Sequence, residues 1–139
     1  MTRKRTGAIT AAAVLLLTGS LATMAGAGDT SPRQLVAQFA AQAGTTPSPA
    51  RGKALFTGRH TGGKPDTPSC TTCHTTNLKA RGQTRAGKVI EPMAPSVNPA
   101  RFTDSAKVAK WLRRNCKTVL GRECTAGEKA DILAWLSSL

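Results

Sequence analysis

The 139-residue chain carries 20 Lys and Arg against 7 Asp and Glu, a formal charge of +13, with 4 cysteines and 2 histidines. That length suits one domain behind a leader, and nothing after residue 27 is apolar enough to span a bilayer, which excludes a polytopic membrane protein. Large side chains are scarce (Phe39, Phe56, Phe102, Trp111, Trp135, no Tyr), so the core is modest unless a bound apolar group completes it, and a loose fold is expected without that group.

Residues 1–27 read as a secretory signal. Arg3, Lys4 and Arg5 form a positive start, Ala8 to Leu21 is apolar, and Ala25-Gly26-Ala27 is a small-residue cleavage site. The mature chain is then expected to start at Gly28. An uncleaved anchor fits less well, because Thr18, Gly19 and Ser20 interrupt a short apolar stretch. Removing Arg3, Lys4 and Arg5 leaves the mature chain at +10. Export predicts a periplasmic location and argues against nucleic acid as the partner of this basic surface. An acidic redox protein is the natural complement. The alternative is a solvated basic surface with no single partner.

Ser31-Pro32 opens a first helix, with Ser as cap and Pro in the first turn. Leu35, Val36, Phe39, Ala40 and Ala43 recur at helical spacing, and Gly44 ends it. This helix and the linker Thr45-Thr46-Pro47 make up residues 28–47, ahead of a domain over 48–139. Ser48-Pro49 starts a second helix that runs to about Thr57. Gly52 inside it costs about 1 kcal/mol against Ala, which a close helix crossing would justify. Residues 58–69 form a loop in which His60 is expected to be solvated. Asn77 to Pro99 is mostly irregular, and three prolines stiffen its Glu91–Pro99 part. No strand pattern is found.

Thr103 or Ser105 starts a third helix. Val108, Trp111, Leu112 and Asn115 share one of its faces, while Lys107, Lys110, Arg113, Arg114 and Lys117 populate the rest. Thr125-Ala126-Gly127-Glu128 is a capping box for a helix reaching the C-terminus. Ile132, Leu133, Leu136 and Leu139 are its expected buried face, with Trp135 at the margin.

Between the loop and the irregular segment stands Cys70-Thr71-Thr72-Cys73-His74. C-x-x-C-H is the attachment pattern of c-type haem. Two thiols at this spacing can each add to a vinyl group of one porphyrin, and the next histidine is held under the iron as proximal ligand. A thioredoxin-like redox pair would sit in a βαβ context and has no use for His74. A zinc site shared with Cys116 and Cys124 fails on spacing, since those two lie eight apart.

Cys116 and Cys124 remain. In an oxidising compartment they are expected to pair across the Val119–Arg122 turn, a structural disulfide contributing up to about 3 kcal/mol. The alternative is a redox-active disulfide beside the haem. The sixth iron position has three candidates. Met93 would raise the potential through its thioether, and His60 would make a low-potential bis-histidine site. Asn115 lies in the later stretch that usually supplies the distal ligand of a small haem c fold, but it suits a helix C-terminal amide equally well. The residues alone leave this choice open.

Gly52-Lys53-Ala54-Leu55-Phe56, the C-x-x-C-H motif and a C-terminal helix resemble class I cytochrome c. That resemblance implies a helix crossing at Gly52 with Phe56 near Leu133, Trp135 and Leu136. The segments Met93–Asp104 and Trp111–Cys116 resemble the sphaeroides haem protein (SHP) type of monohaem cytochrome c, over most of residues 48–139. This closer resemblance implies Asn115 as a sixth ligand that leaves on reduction, and a Cys116–Cys124 disulfide across the following turn. It also implies oxygen or nitric oxide binding at ferrous iron, and electrons from a dihaem cytochrome c. An amide oxygen is a hard donor that prefers ferric iron, so reduction weakens its bond.

The expectation is an exported, all-α cytochrome c of about four helices around one covalently attached haem c. Cys70 and Cys73 anchor the haem, His74 and Asn115 ligate iron, and Trp111, Leu112 and the Met93 loop line the distal pocket. Its role is one-electron transfer combined with small-ligand binding. One alternative is a plain electron carrier with Met93 as permanent sixth ligand. A less expected one is an enzyme acting at the open iron, for which His60, Arg113 and Arg114 are the obvious proton donors.

Overall fold

The computed structural model describes residues 28–139, and the signal expected over 1–27 lies outside the described residues. Helix α1 spans Pro32–Ala43 and α2 spans Pro49–Thr57. Each starts as its sequence dictates: the Ser31 hydroxyl accepts from the Gln34 N–H, and the Ser48 hydroxyl from the Arg51 N–H. Gly44 closes α1 in the left-handed region, at φ 62°. The one-turn helix α3 (Thr71–His74) lies within the C-x-x-C-H motif. Helix α4 covers Ser105–Leu120 and α5 covers Ala126–Leu136. The Thr125–Glu128 capping box is formed in both directions. The architecture is all-α in essence, with five helices where about four were expected, the extra one being the single turn of the motif.

Two expectations need correction. Gly82–Gln83 (β1) and Val89–Ile90 (β2) form a small antiparallel pair where no strand was expected, because two residues a side give no readable alternation. Helix α5 also stops at Leu136 instead of running to the C-terminus, and Leu139 is half-buried beyond it.

Helix α5 is the spine of the core, packing against both α1 and α2. Leu35 and Phe39 from α1, Phe56 from α2, and Ala130, Ile132, Leu133 and Leu136 from α5 are buried in one cluster, so α1 shares its core with the helices of 48–139. Gly52 marks the α2–α5 crossing, where an added Cβ would meet the Asp131 carbonyl oxygen at 2.0 Å.

Helix α4 is placed differently. Among the described residues no other helix packs closely along it. Val108, Cys116 and Val119 turn into the protein, but Trp111 is 46% exposed and Leu112 and Asn115 are half-buried on the adjoining strip. The apolar stripe expected as one face is therefore split, its Trp111 and Asn115 edge left without a protein partner helix.

Candidate functional site

Local geometry gathers the motif. Cys70 precedes α3, and Cys73 and His74 lie within it, so the two thiols and the imidazole sit on a single turn. Both thiols are free and half-buried. Burial pushes the Cys70 thiol up to about 11, and the neighbouring Cys73 adds to the rise. A thiol held protonated is a poor redox nucleophile, which counts against the thioredoxin-like reading. Burial pushes His74 down to about 4, and the nearby Arg101 charge adds to it, so the ring is neutral near pH 7 as a metal ligand requires. Nδ1 of His74 is buried with no hydrogen-bond partner.

The turn is clamped from several directions. The Phe56 ring lies 5.8 Å from the His74 ring and 5.3 Å from that of Trp135, so α2 and α5 meet at the motif. Ser69 Oγ donates to Phe56 O at 3.2 Å and accepts from the Thr71 N–H at 3.3 Å. Gly82 presses on the backbone of the turn, with an added Cβ 2.1 Å from the Cys73 carbonyl oxygen. Thr75, the residue after His74, has φ 61°, a costly backbone for a β-branched residue and one held by its surroundings at the exit of the turn.

Met93 is half-buried, and its N–H donates to Leu78 O at 2.9 Å, with Ala94 N–H sharing that carbonyl at 3.1 Å. Its loop is further held by Arg101, whose guanidinium donates to Pro92 O at 2.9 Å and to Glu91 O. Leu78 stands four residues after His74, so its carbonyl fastens the Met93 loop to the segment that leaves the motif. Trp111, Leu112 and Asn115 come together on α4 instead. Arg114 and Lys110 lie over the Trp111 ring at 5.2 and 5.8 Å, outside the motif. His60 is half-buried where a solvated ring was expected, and its Nε2 bonds to Leu55 O at 2.8 Å at the end of α2.

Cys116 and Cys124 are bonded to each other, with Cα atoms 5.6 Å apart. At 6% and 4% exposure they are shielded from thiol exchange, which favours the structural role over a redox-active one. Paired, neither can serve zinc, and no group of three possible ligands is found among the described residues. The roles of Arg101, Gly82 and Thr75 were not foreseen. Arg101 lies in a stretch that the sequence marks as familiar, but its hold on two backbone carbonyls has no local signature.

The residues fit haem c. Two half-buried thiols share a turn with a neutral imidazole bearing an unpartnered buried nitrogen, and α4 offers an edge of Trp111 and Asn115, beside the half-buried Leu112, that no helix among the described residues covers. Fold and site together define a small all-helical c-type cytochrome with one covalently attached haem. A family model described as a domain of unknown function (DUF1924) matches residues 42–136. The cytochrome c-type protein SHP of Cereibacter sphaeroides is 60% identical over 124 residues, covering 89% of this chain and 96% of that protein. This chain belongs to the SHP family of c-type cytochromes. The solved structure of oxidised SHP, described as an oxygen-binding cytochrome c, aligns with TM-score 0.79 at 62% identity, over 81% of this chain and all of that one. Cytochrome c'' of Methylophilus methylotrophus is 37% identical over 91 residues, 65% of this chain and 63% of that protein. Its crystal structure aligns with TM-score 0.64 at 34% identity, over 76% of this chain and 91% of that one.

Proposed function

We propose that residues 28–139 form an exported cytochrome that transfers single electrons and binds a small diatomic ligand, such as oxygen or nitric oxide, at ferrous haem. The observation that carries this reading is the place of Asn115. It is half-buried on the strip of α4 that no helix among the described residues covers, directly before the buried Cys116–Cys124 disulfide that fixes the helix there. Two relatives support it. SHP is described as oxygen-binding, and the solution structure of cytochrome c'' is described in terms of haem-ligand detachment.

Cys70 and Cys73 hold the haem through thioethers, and His74 is the proximal ligand. When bound, the haem supplies a one-electron couple and a sixth coordination position. His74, kept neutral by burial, donates to iron without first losing a proton. Asn115 would offer that iron a neutral, hard amide oxygen, a donor that suits the ferric state better than the ferrous one and would leave room there for a diatomic. Trp111 and Leu112 form the apolar wall beside it. Met93, whose loop is held by Leu78 O and by Arg101, is read as a pocket residue and not as the iron ligand.

The outer surface of α4 carries Lys107, Lys110, Arg113 and Arg114 and no acidic residue between Ser105 and Leu120. This suits an acidic redox protein, a dihaem cytochrome c being the kind implied by the family. The location is the periplasm, after cleavage before Gly28. No helix among the described residues is long and apolar enough to cross a membrane.

Optical spectra of the holoprotein test the reading. The expected result is a high-spin ferrous spectrum that shifts at once with carbon monoxide. A low-spin ferrous spectrum indifferent to carbon monoxide, with a ferric sulfur-to-iron band, would make Met93 the sixth ligand and the protein a plain electron carrier.

A further inference from the structure

Helix α4 is fastened at both ends. At its C-terminal end Cys116 is bonded to Cys124, and the Lys64 N–H donates to Thr118 O at 2.8 Å. At its N-terminal end the first described residues fold back over it. The Asp29 carboxylate accepts from the Ser105 N–H at 2.8 Å and from the Ser105 hydroxyl. The Thr30 N–H donates to Thr103 O at 3.4 Å. Gly28 lies so close to Thr103 that an added Cβ would sit 1.8 Å from its carbonyl oxygen. Asp104 already caps this helix through the Lys107 N–H at 2.8 Å. Asp29 is thus a second carboxylate at the same helix start, supplied from 76 residues away, where unpaired N–H groups and the helix dipole both favour it. Its bonds to Ser105 hold the Asp29 carboxyl below the usual range.

We propose that Gly28–Thr30 is a clasp on the distal helix: it limits rocking of α4 about its disulfide-bonded end and so sets how fast a small ligand reaches ferrous haem past Trp111 and Leu112. This rests on the reading of the Asn115 strip as the distal wall. The lever is real: at about 1.5 Å rise per residue, Ser105 stands roughly 16 Å from the Cys116 pivot. Trp111 and Leu112 lie between the two, so lifting the clasped end moves them outward with it. The clasp consists of a few exposed hydrogen bonds, so it opens at far lower cost than the core. Asp29 is a positioning residue, acting through Ser105.

The test is carbon monoxide association with the dithionite-reduced holoprotein, followed by stopped flow, alongside thermal melting. Asp29→Ala is expected to speed association at least threefold at unchanged haem content. Asp29→Asn, which keeps an oxygen for the Ser105 N–H, should return close to the parent rate. Ser105→Ala, which loses only the hydroxyl bond, should fall between, and it carries the test if Asp29→Ala yields no folded holoprotein. Parent-like rates in the variants that fold, even with a lower melting temperature, would overturn the clasp. Asn115→Ala, measured in parallel, separates the two ideas. A parent-like ferric spectrum there would overturn the distal-wall reading and the clasp with it. A changed spectrum there beside parent-like rates in Asp29→Ala would overturn the clasp alone.

Discussion

Gly52 of α2 lies directly on the backbone of Asp131 of α5, so close that a methyl group on Gly52 would fall 2.0 Å from the Asp131 carbonyl oxygen. The same Asp131 reaches back with its side chain to the start of α2. Its carboxylate accepts from the Ser48 N–H at 2.6 Å and from Arg51 Nε and Nη2 at 2.7 and 2.9 Å. The two helices that clamp the haem motif through Phe56 and Trp135 are thus joined by a close crossing and a buried carboxylate.

Gly52→Ala should lower stability by about 3 kcal/mol, because the obstructing atoms are backbone and cannot rotate away. Denaturant unfolding of the holoprotein checks this, and a loss under about 1 kcal/mol would show that the helices separate more easily than their packing implies.

Asp131→Ala should cost about 1–3 kcal/mol, since Asp131 is only 7% exposed and its loss removes the acceptor of the Ser48 N–H, while the exposed Arg51 guanidinium turns to water. Arg51→Ala should cost more than an ordinary surface change, because it leaves Asp131 with one partner. Equal, small losses in both variants would contradict a buried anchor.

The Cys116→Ser, Cys124→Ser double variant should lose about 2–3 kcal/mol through the freed loop. It should also change the ferric haem spectrum, because Asn115 is held by its neighbour. An unaltered spectrum with lowered stability would confine the disulfide to a structural role.

Acid should weaken the α5 capping box in a defined sense. Glu128 has its carboxyl held below its unfolded value of 4.5, first by the Arg122 hydrogen bond, against a smaller effect of burial. A lowered folded value means that this stabilisation is complete above pH 4.5 and is lost as pH falls through the folded value. Arg122 is exposed while Glu128 is half-buried, so solvent screens the pair and its contribution is small. The melting-temperature gap between the parent and Arg122→Ala should therefore be present at pH 7 and close in acid. A gap that persists below pH 3 would assign it to something other than this charge.

Without haem the helices should not loosen equally. In a Cys70→Ala, Cys73→Ala variant, α1 and α2 still pack against α5, while α4 has no helix along it among the described residues. Hydrogen exchange should show α4 amides exchanging fast and α5 amides protected. Equal protection would mean that protein contacts alone secure α4.

How far each feature could be read depends on how far its physics reaches along the chain. Ser31, Ser48 and the Thr125–Glu128 pair disclosed their helix starts because a cap acts over three residues. Gly52 disclosed a crossing because glycine inside a helix is costly without one. The C-x-x-C-H turn was visible because its chemistry needs contiguous residues. The β1–β2 pair was not, since two residues a side carry no period. His60 on Leu55 O, Arg101 on the Glu91 and Pro92 carbonyls, and Asp29 on Ser105 were not either. Each is a side chain meeting a distant or backbone partner, a bond that leaves no pattern at either position.

The residue order by itself determined where the helices begin, which turn carries the thiols and imidazole, and which residues recur at helical spacing along α4. Periodicity and caps are local, so one strand of text contains them. Only the tertiary structure decided that no described helix covers the Trp111–Asn115 edge, that the Met93 N–H bonds to Leu78 O, and that Asp29 closes over the start of α4. What lies against a face depends on chain segments tens of residues away, and packing alone brings them together.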